Sequence, residues 1–437
     1  MFSYRSATIV VALLLAGCTK EHSPAAAVSV VPIRESQTLC LAQVAGDAPN
    51  DRELTRAQVA ARQLPDHAQY WIAAGRGWVR KARLSADPGF YVNVDGCASE
   101  ASHVQPGLVP ALELRSLVLM NNHQFEQARA LAEQILKRAP DSVIADGTLS
   151  DALLELGRYQ EAAQAAQAQM NIHPGMAADA RAAHLNWLKG DDRSAKLFIR
   201  DALLDRNSAD PEAAAWTFVE AGMIYWQQGD YAGADAIFSE ALNWVPKYPA
   251  ALVGRGRVAL AKGEATDAIN FLSIAQRLHP LVETAWLLGD AYTLNADAEH
   301  AQQAYADAER QGWRGDKLTL AYFFADKNKN SADALRLLDE ERRNRGGIYM
   351  DDAYSWALYR AGRFAEARRE SVQALRLGTR DARLLYHAGA IELALGEQVR
   401  GRKLIRQALA LNSGFDVTGA AEARALLASG ATALVRN

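Results

Sequence analysis

The sequence predicts an all-α fold, a solenoid of stacked antiparallel helix hairpins. Three observations predict it. First, the chain repeats itself at an offset of 34 residues: Gly222 and Gly256, Gly229 and Gly263, Ala234 and Ala268, Ala241 and Ala275, and Pro246 and Pro280 all pair at that spacing. A fixed period of this size marks an array of small units, each one supersecondary element. Second, apolar residues recur at helical spacing twice per period, with a Gly-Asp pair between the two stretches. Third, no alternating apolar–polar run longer than a few residues appears, so strands are not expected. The 437 residues are 49% hydrophobic and 23% charged, enough to bury a core. The net charge of −3 gives no sign of the basic face that nucleic-acid binding needs.

Taken in order, residues 1–17 read as a signal peptide. Arg5 and the amino terminus form a short positive region, and Ala7–Leu15 is an apolar run too short to span a bilayer. The run ends in Leu15-Ala16-Gly17-Cys18, which resembles the lipobox of bacterial lipoproteins. That resemblance implies cleavage before Cys18 and lipid on its sulfur. Thr19 in place of an Asp leans towards the outer membrane, periplasm-facing. An ordinary signal peptide with an incidental Cys is the competing reading. Residues 18–50 are rich in Ala, Ser, Val and Pro and read as a flexible tether.

With Cys18 lipidated, Cys40 and Cys97 remain, an even number in an oxidising compartment. A disulfide between them closes a loop worth about 4 kcal/mol by chain entropy. Two free thiols are the alternative. The spacing fits no zinc site.

Each unit is built alike. In the clearest one, Phe218, Ala221, Gly222 and Tyr225 line one face of a helix A, and Gly229-Asp230 ends it. Tyr231, Ala234, Phe238 and Ala241 line a helix B, which Pro246 stops. Gly222 and Ala234 are small where the two helices cross. The next copy has Gly256, Ala268 and Pro280, and the one after it Gly289. These residues resemble the tetratricopeptide repeat family, whose motif runs large apolar, Leu-Gly, Tyr, a Gly-Asp-Tyr turn, Ala, Phe, Ala and Pro over 34 residues. Weaker copies on both sides give about nine or ten units over 51–411. Register slips suggest two sub-arrays, 51–311 and 312–416, with the break near Gly312–Asp316 or Gly346–Gly347. Val417–Leu434 reads as a final capping helix within a 417–437 tail.

The resemblance implies a right-handed superhelix with helix A on the concave side, where family members hold peptide segments. Projected into that groove are Trp187, Trp216, Met223, Trp226, Arg257, Trp286, Asp290, Trp356, Tyr359 and Tyr386. Aromatics and Arg anchor interfaces. The competing reading packs these rings against the next unit.

Nine histidines stand singly, with no HExxH, GxSxG or phosphate-binding glycine loop. No enzymatic activity, metal or cofactor is expected. The expected function is a lipid-anchored periplasmic scaffold that holds an envelope protein or peptide. A receptor for peptides, glycans or peptidoglycan fragments is the alternative, with Trp216, Trp226 and Trp286 as stacking platforms.

Overall fold

The computed structural model describes residues 33–434. Residues 1–32, where the signal peptide and the lipid on Cys18 are expected, and the last three residues lie outside them. Every regular element among the described residues is helical. Two helices lead, α1 (Ile33–Cys40) and α2 (Pro49–Gln63). Ten hairpins follow: α3 (Ala68–Ser85) with α4 (Tyr91–Val104), α5 (Val109–Asn121) with α6 (Phe125–Arg138), and α7 (Val143–Glu155) with α8 (Tyr159–Ile172). Next come α9 (Met176–Leu188) with α10 (Asp192–Leu204), α11 (Pro211–Gln227) with α12 (Tyr231–Trp244), and α13 (Pro249–Lys262) with α14 (Ala265–Leu278). The last four are α15 (Val282–Leu294) with α16 (Ala298–Arg314), α17 (Lys317–Asp326) with α18 (Ser331–Glu341), α19 (Ile348–Arg360) with α20 (Phe364–Ala374), and α21 (Ala382–Ala394) with α22 (Gln398–Leu411). A single helix, α23 (Val417–Leu434), ends the array.

The Gly-Asp pair does the turning. Gly229 takes φ 73°, a left-handed conformation that costs a glycine nothing. The Asp230 carboxylate then accepts from the Gly233 N–H at 2.9 Å and caps α12. Gly190 and Asp191 repeat the device, with Asp191 accepting from Ser194 N at 3.0 Å.

Small residues face large ones where units stack. Phe238 is fully buried, and a β-carbon on Gly222 or on Gly254 would come within 2.5 Å of its ring. One ring therefore wedges between two consecutive units. Leu272 fills the same role against Gly256, and Tyr305 against Gly289. Ala234 and Ala268 are fully buried, and Pro246 and Pro280 lie in the turns after α12 and α14.

The array then closes on itself, each contact joining units six apart. The turn after α7 meets the linker before α19: Gly346 N–H donates to the Glu155 carbonyl at 2.9 Å, and Ile348 N–H to the Tyr159 hydroxyl at 2.8 Å. The turn after α9 meets the linker before α21, where the Thr379 hydroxyl donates to the Leu188 carbonyl and Gly190 lies on the Gly378 carbonyl. The turn after α11 meets the linker before α23. There Asn412 Nδ2 donates to the Trp226 carbonyl at 2.7 Å, and the Tyr231 hydroxyl donates to Asn412 Oδ1 at 2.6 Å. One superhelical turn sits on the next, so the concave face is roofed.

Two expectations are corrected here. The 18–50 tether does not extend to residue 50. Helix α1 is clamped in place: Cys40 is bonded to Cys97 on α4, and its carbonyl accepts from Trp78 Nε1 and Gln58 Nε2, each at 2.9 Å. The Ser36 hydroxyl donates to Glu100, and Asn93 Nδ2 donates to the Leu39 carbonyl at 2.7 Å. Nor is there a gap at 311/312. One apolar cluster runs from Val282 through Ala308 and Leu320 to Ala423, and Gly312 rests on Leu320. Gly346–Gly347 is a contact between superhelical turns instead of a break.

The disulfide closes a 57-residue separation. Reducing it, or Cys97→Ser, is expected to weaken the 33–104 region by about 2–4 kcal/mol. Hydrogen exchange should show faster opening of α1 and α4 with the amides of α13–α16 unchanged.

Candidate functional site: a roofed cavity on the concave face

Helices A are the inner layer. Nine residues of α11 are buried against three of α12, and nine of α13 against three of α14. Their inward stripes follow helical spacing: His184 and Trp187; Glu220, Met223 and Gln227; Glu283, Trp286 and Asp290. These stripes, with Trp226 and Arg257, line a partly open cavity of about 290 Å³. The second superhelical turn adds Tyr349, Asp381, Arg383 and the linker 414–417 as its roof.

Six of the ten projected groove residues meet here: Trp187, Met223, Trp226, Arg257, Trp286 and Asp290. The other four do not. Trp216 is two helical turns before Met223, about 10 Å along α11, and stays 42% exposed outside the cavity. Trp356 and Tyr386 are 1% exposed, and Tyr359 packs against the same core. The Trp356 ring stacks on His387 at 4.0 Å and on Tyr359 at 4.6 Å. Helix α23 crosses the face they present. Ala420 and Ala423 join the core there, the Tyr386 hydroxyl donates to Glu422 Oε2 at 2.6 Å, and Arg360 pairs with Glu422 at 2.9 Å. Sequence reasoning passed over His184, Glu220 and Glu283, although they share the stripes of Trp187, Met223 and Trp286. Tyr349, Asp381 and Arg383 carry no local signal, since only closure brings them in.

The charges are unevenly answered. Arg257 pairs with Glu283 and lies over the Trp226 ring at 5.2 Å. Lys327 reaches Asp290 at 2.6 Å and Asp326 at 3.1 Å, and sits 5.8 Å from the Trp286 ring. Burial pushes the Asp326 carboxyl up to about 8, with Asp416 adding to the rise, and the Asp290 carboxyl up to about 6. Burial alone would lower the Lys327 ammonium, but the three surrounding carboxylates hold it well above its ordinary value. Glu220 is pushed up to about 7 by burial, and the closest ring nitrogen, His184 Nδ1, is 3.9 Å away. Burial lowers His184, so it faces Glu220 as a neutral imidazole. The indole N–H groups of Trp187, Trp226 and Trp286 and Oδ2 of Asp290 find no hydrogen-bond partner. No Ser, Thr, Cys or Lys lines the cavity, and the hydroxyl in its wall is that of Tyr349.

The raised carboxyls set a pH dependence. At pH 6.5–8 the folded chain keeps a proton on Asp326 that the unfolded chain has released, so stability falls as pH rises, by up to about 1.4 kcal/mol per pH unit for one such group. Between pH 6.5 and about 7.5 the lowered histidines, His123, His184 and His279, oppose this, because the unfolded chain still protonates them in part, so the decline is clearest above about pH 7.5. Denaturant midpoints measured from pH 6.5 to 8.5 should decline, and Asp326→Asn should flatten the decline.

Residues 114–172 and 225–288 each match a profile described as tetratricopeptide repeat. No curated protein matches the chain. Among solved structures, similarity is found to PilW, a widely conserved type IV pilus biogenesis factor, at 17% identity and TM-score 0.40, covering 49% of this chain and 97% of that one. Pseudomonas aeruginosa PilF aligns at 14% identity and TM-score 0.39, covering 50% and 97%. The human IFIT1 dimer with PPP-AAAA aligns at 12% identity and TM-score 0.47, covering 86% and 94%. The described residues thus form an all-helical solenoid, two stretches of which match tetratricopeptide repeats.

Proposed function

We propose that this chain is an interaction scaffold of the bacterial envelope, held to a membrane by lipid on Cys18 and facing the periplasm. In this reading the cavity receives a short projecting segment of another envelope protein. The observation that carries it is the convergence of Trp187, Met223, Trp226, Arg257, Trp286 and Asp290 on one cavity of about 290 Å³. That volume sits at the lower edge of ligand pockets and admits side chains, not a whole helix. The Leu15-Ala16-Gly17-Cys18 run and the Cys40–Cys97 bond both suit an exported protein. Between Cys18 and Ile33 the chain is short, so the body stays close to the lipid.

A glycan receptor would need open ring faces for stacking. Arg257 and Lys327 already sit over Trp226 and Trp286, which favours the protein-segment reading.

Cross-linking of the native lipidated protein followed by pull-down tests the proposal. An envelope protein trapped by the wild type and lost with Trp226→Ala and Trp286→Ala supports it. Recovery of none, or recovery unaffected by both changes, defeats it.

A further inference from the structure

The cavity's charges do not balance from within the chain. Its two arginines are answered: Arg257 by Glu283, and Arg383, lying 4.6 Å over the Tyr322 ring, by the field of Asp381 and Asp352. Lys327 is shared by Asp290 and Asp326. Glu220 has no cation partner; the neutral His184 is its neighbour. Asp290 is 2% exposed and its Oδ2 is unpartnered. Oδ1 of Asp290 already holds Lys327 and the Tyr305 hydroxyl, so the unanswered charge is that of Glu220, whose side chain is half-buried and open to the cavity. A partly desolvated carboxylate without a cation partner favours an incoming one.

The remaining lining says what kind of cation. Trp187, stacked on Tyr349 at 6.4 Å between ring centres, and Met223 offer apolar and π surface beside Glu220, which suits a methylene chain ending in a charge. Trp187, Trp226 and Trp286 are 5–7% exposed, and what they show the cavity is ring surface, their indole N–H groups being buried without acceptors.

We propose that the cavity binds an alkylammonium group, with Glu220 taking the protonated amine and the tryptophan-lined wall taking the chain that carries it. The reading of the chain as a scaffold supplies the source, a lysine side chain projecting from the captured segment. A free small diamine presents the same chemistry.

Calorimetry on the full chain separates the cases. The probes are Ala-Lys-Ala, Ala-norleucine-Ala, Ala-Glu-Ala and 1,5-diaminopentane, all with blocked peptide ends. Ala-Lys-Ala is expected to bind at least about tenfold tighter than its norleucine and Glu counterparts, the size of one charge-assisted hydrogen bond. Glu220→Gln should remove that preference while its melting temperature stays at or above the wild type's. Tighter binding of the peptide than of the diamine assigns a partner lysine; the reverse assigns a free amine. Equal binding of the norleucine peptide, an unchanged preference in Glu220→Gln, or no binding of any ammonium probe overturns the proposal. Partner capture that survives such a failure leaves the scaffold reading standing. Loss of capture with ammonium binding intact defeats the scaffold reading alone.

Discussion

Phe238→Ala is expected to destabilise the array by about 3–5 kcal/mol, among the largest effects of any single truncation. The ring is fully buried and touches two units at once, with Gly222 on one side and Gly254 on the other. The two helices that cross over the ring present glycines to it, so neither brings a side chain to fill the space at those crossings. Each unit is held chiefly by its neighbours, so a void between α11/α12 and α13/α14 weakens the link between everything before and after it. A double-mutant cycle makes the test sharper. Gly222→Ala alone should destabilise, because its β-carbon meets the ring. In the Phe238→Ala background the same change should be neutral or stabilising, since it refills part of the void. Urea unfolding measures all four proteins, and additive effects would contradict this packing.

Gly190→Val should open the roof over the cavity. Gly190 has φ 74°, and an added β-carbon would run into the Gly378 carbonyl on the next superhelical turn. Backbone stands on both sides of that contact, so neither side can yield cheaply. Gly362 separates strain from collision. It has φ 75° and nothing within 4 Å of an added β-carbon. Gly362→Val therefore pays only the left-handed strain, roughly 1–2 kcal/mol. Gly190→Val should keep its helical circular dichroism, become protease-sensitive near Arg376–Arg380, and lose the ammonium binding proposed above. Gly362→Val should retain both resistance and binding. Equal behaviour of the two variants would show that the roof does not depend on this contact.

The local rules were legible in the sequence and the global closure was not. Gly222, Gly256 and Gly289 announced close crossings, and the structure supplies the rings and side chains that need them. The bounds of α23 read correctly from sequence as Val417–Leu434, but its path did not. Ala420, Ala423 and Glu422 look like an ordinary helix face until Trp356, Tyr386 and Arg360 are seen beneath them. Trp187, Met223 and Trp286 line the cavity together, and that much was legible because a stripe on one helix needs only helical geometry. Tyr349 and Arg383 enter the same cavity through contacts between residues 186 and 191 positions apart along the chain, which Thr379 and Asn412 make by donating to bare carbonyls. Backbone acceptors leave no mark in a sequence. Helix α1 was missed for a similar reason: a short segment in a polar stretch is held by the disulfide and by side chains donating to its carbonyls.

The central claim is that the solenoid closes on itself, turning an open groove into a cavity. Spin labels at Arg193 and Arg380, in a Cys18→Ser background with the native disulfide intact, test it by pulsed electron resonance. Both positions are exposed, and Arg380 lies 2.7 Å from Asp192, the neighbour of the first label site. Closure predicts one short, narrow distance distribution that Gly190→Val lengthens and broadens. A long or broad distribution in the unmodified array would mean that the turns stand apart, and the cavity with its proposed ligand would fall together.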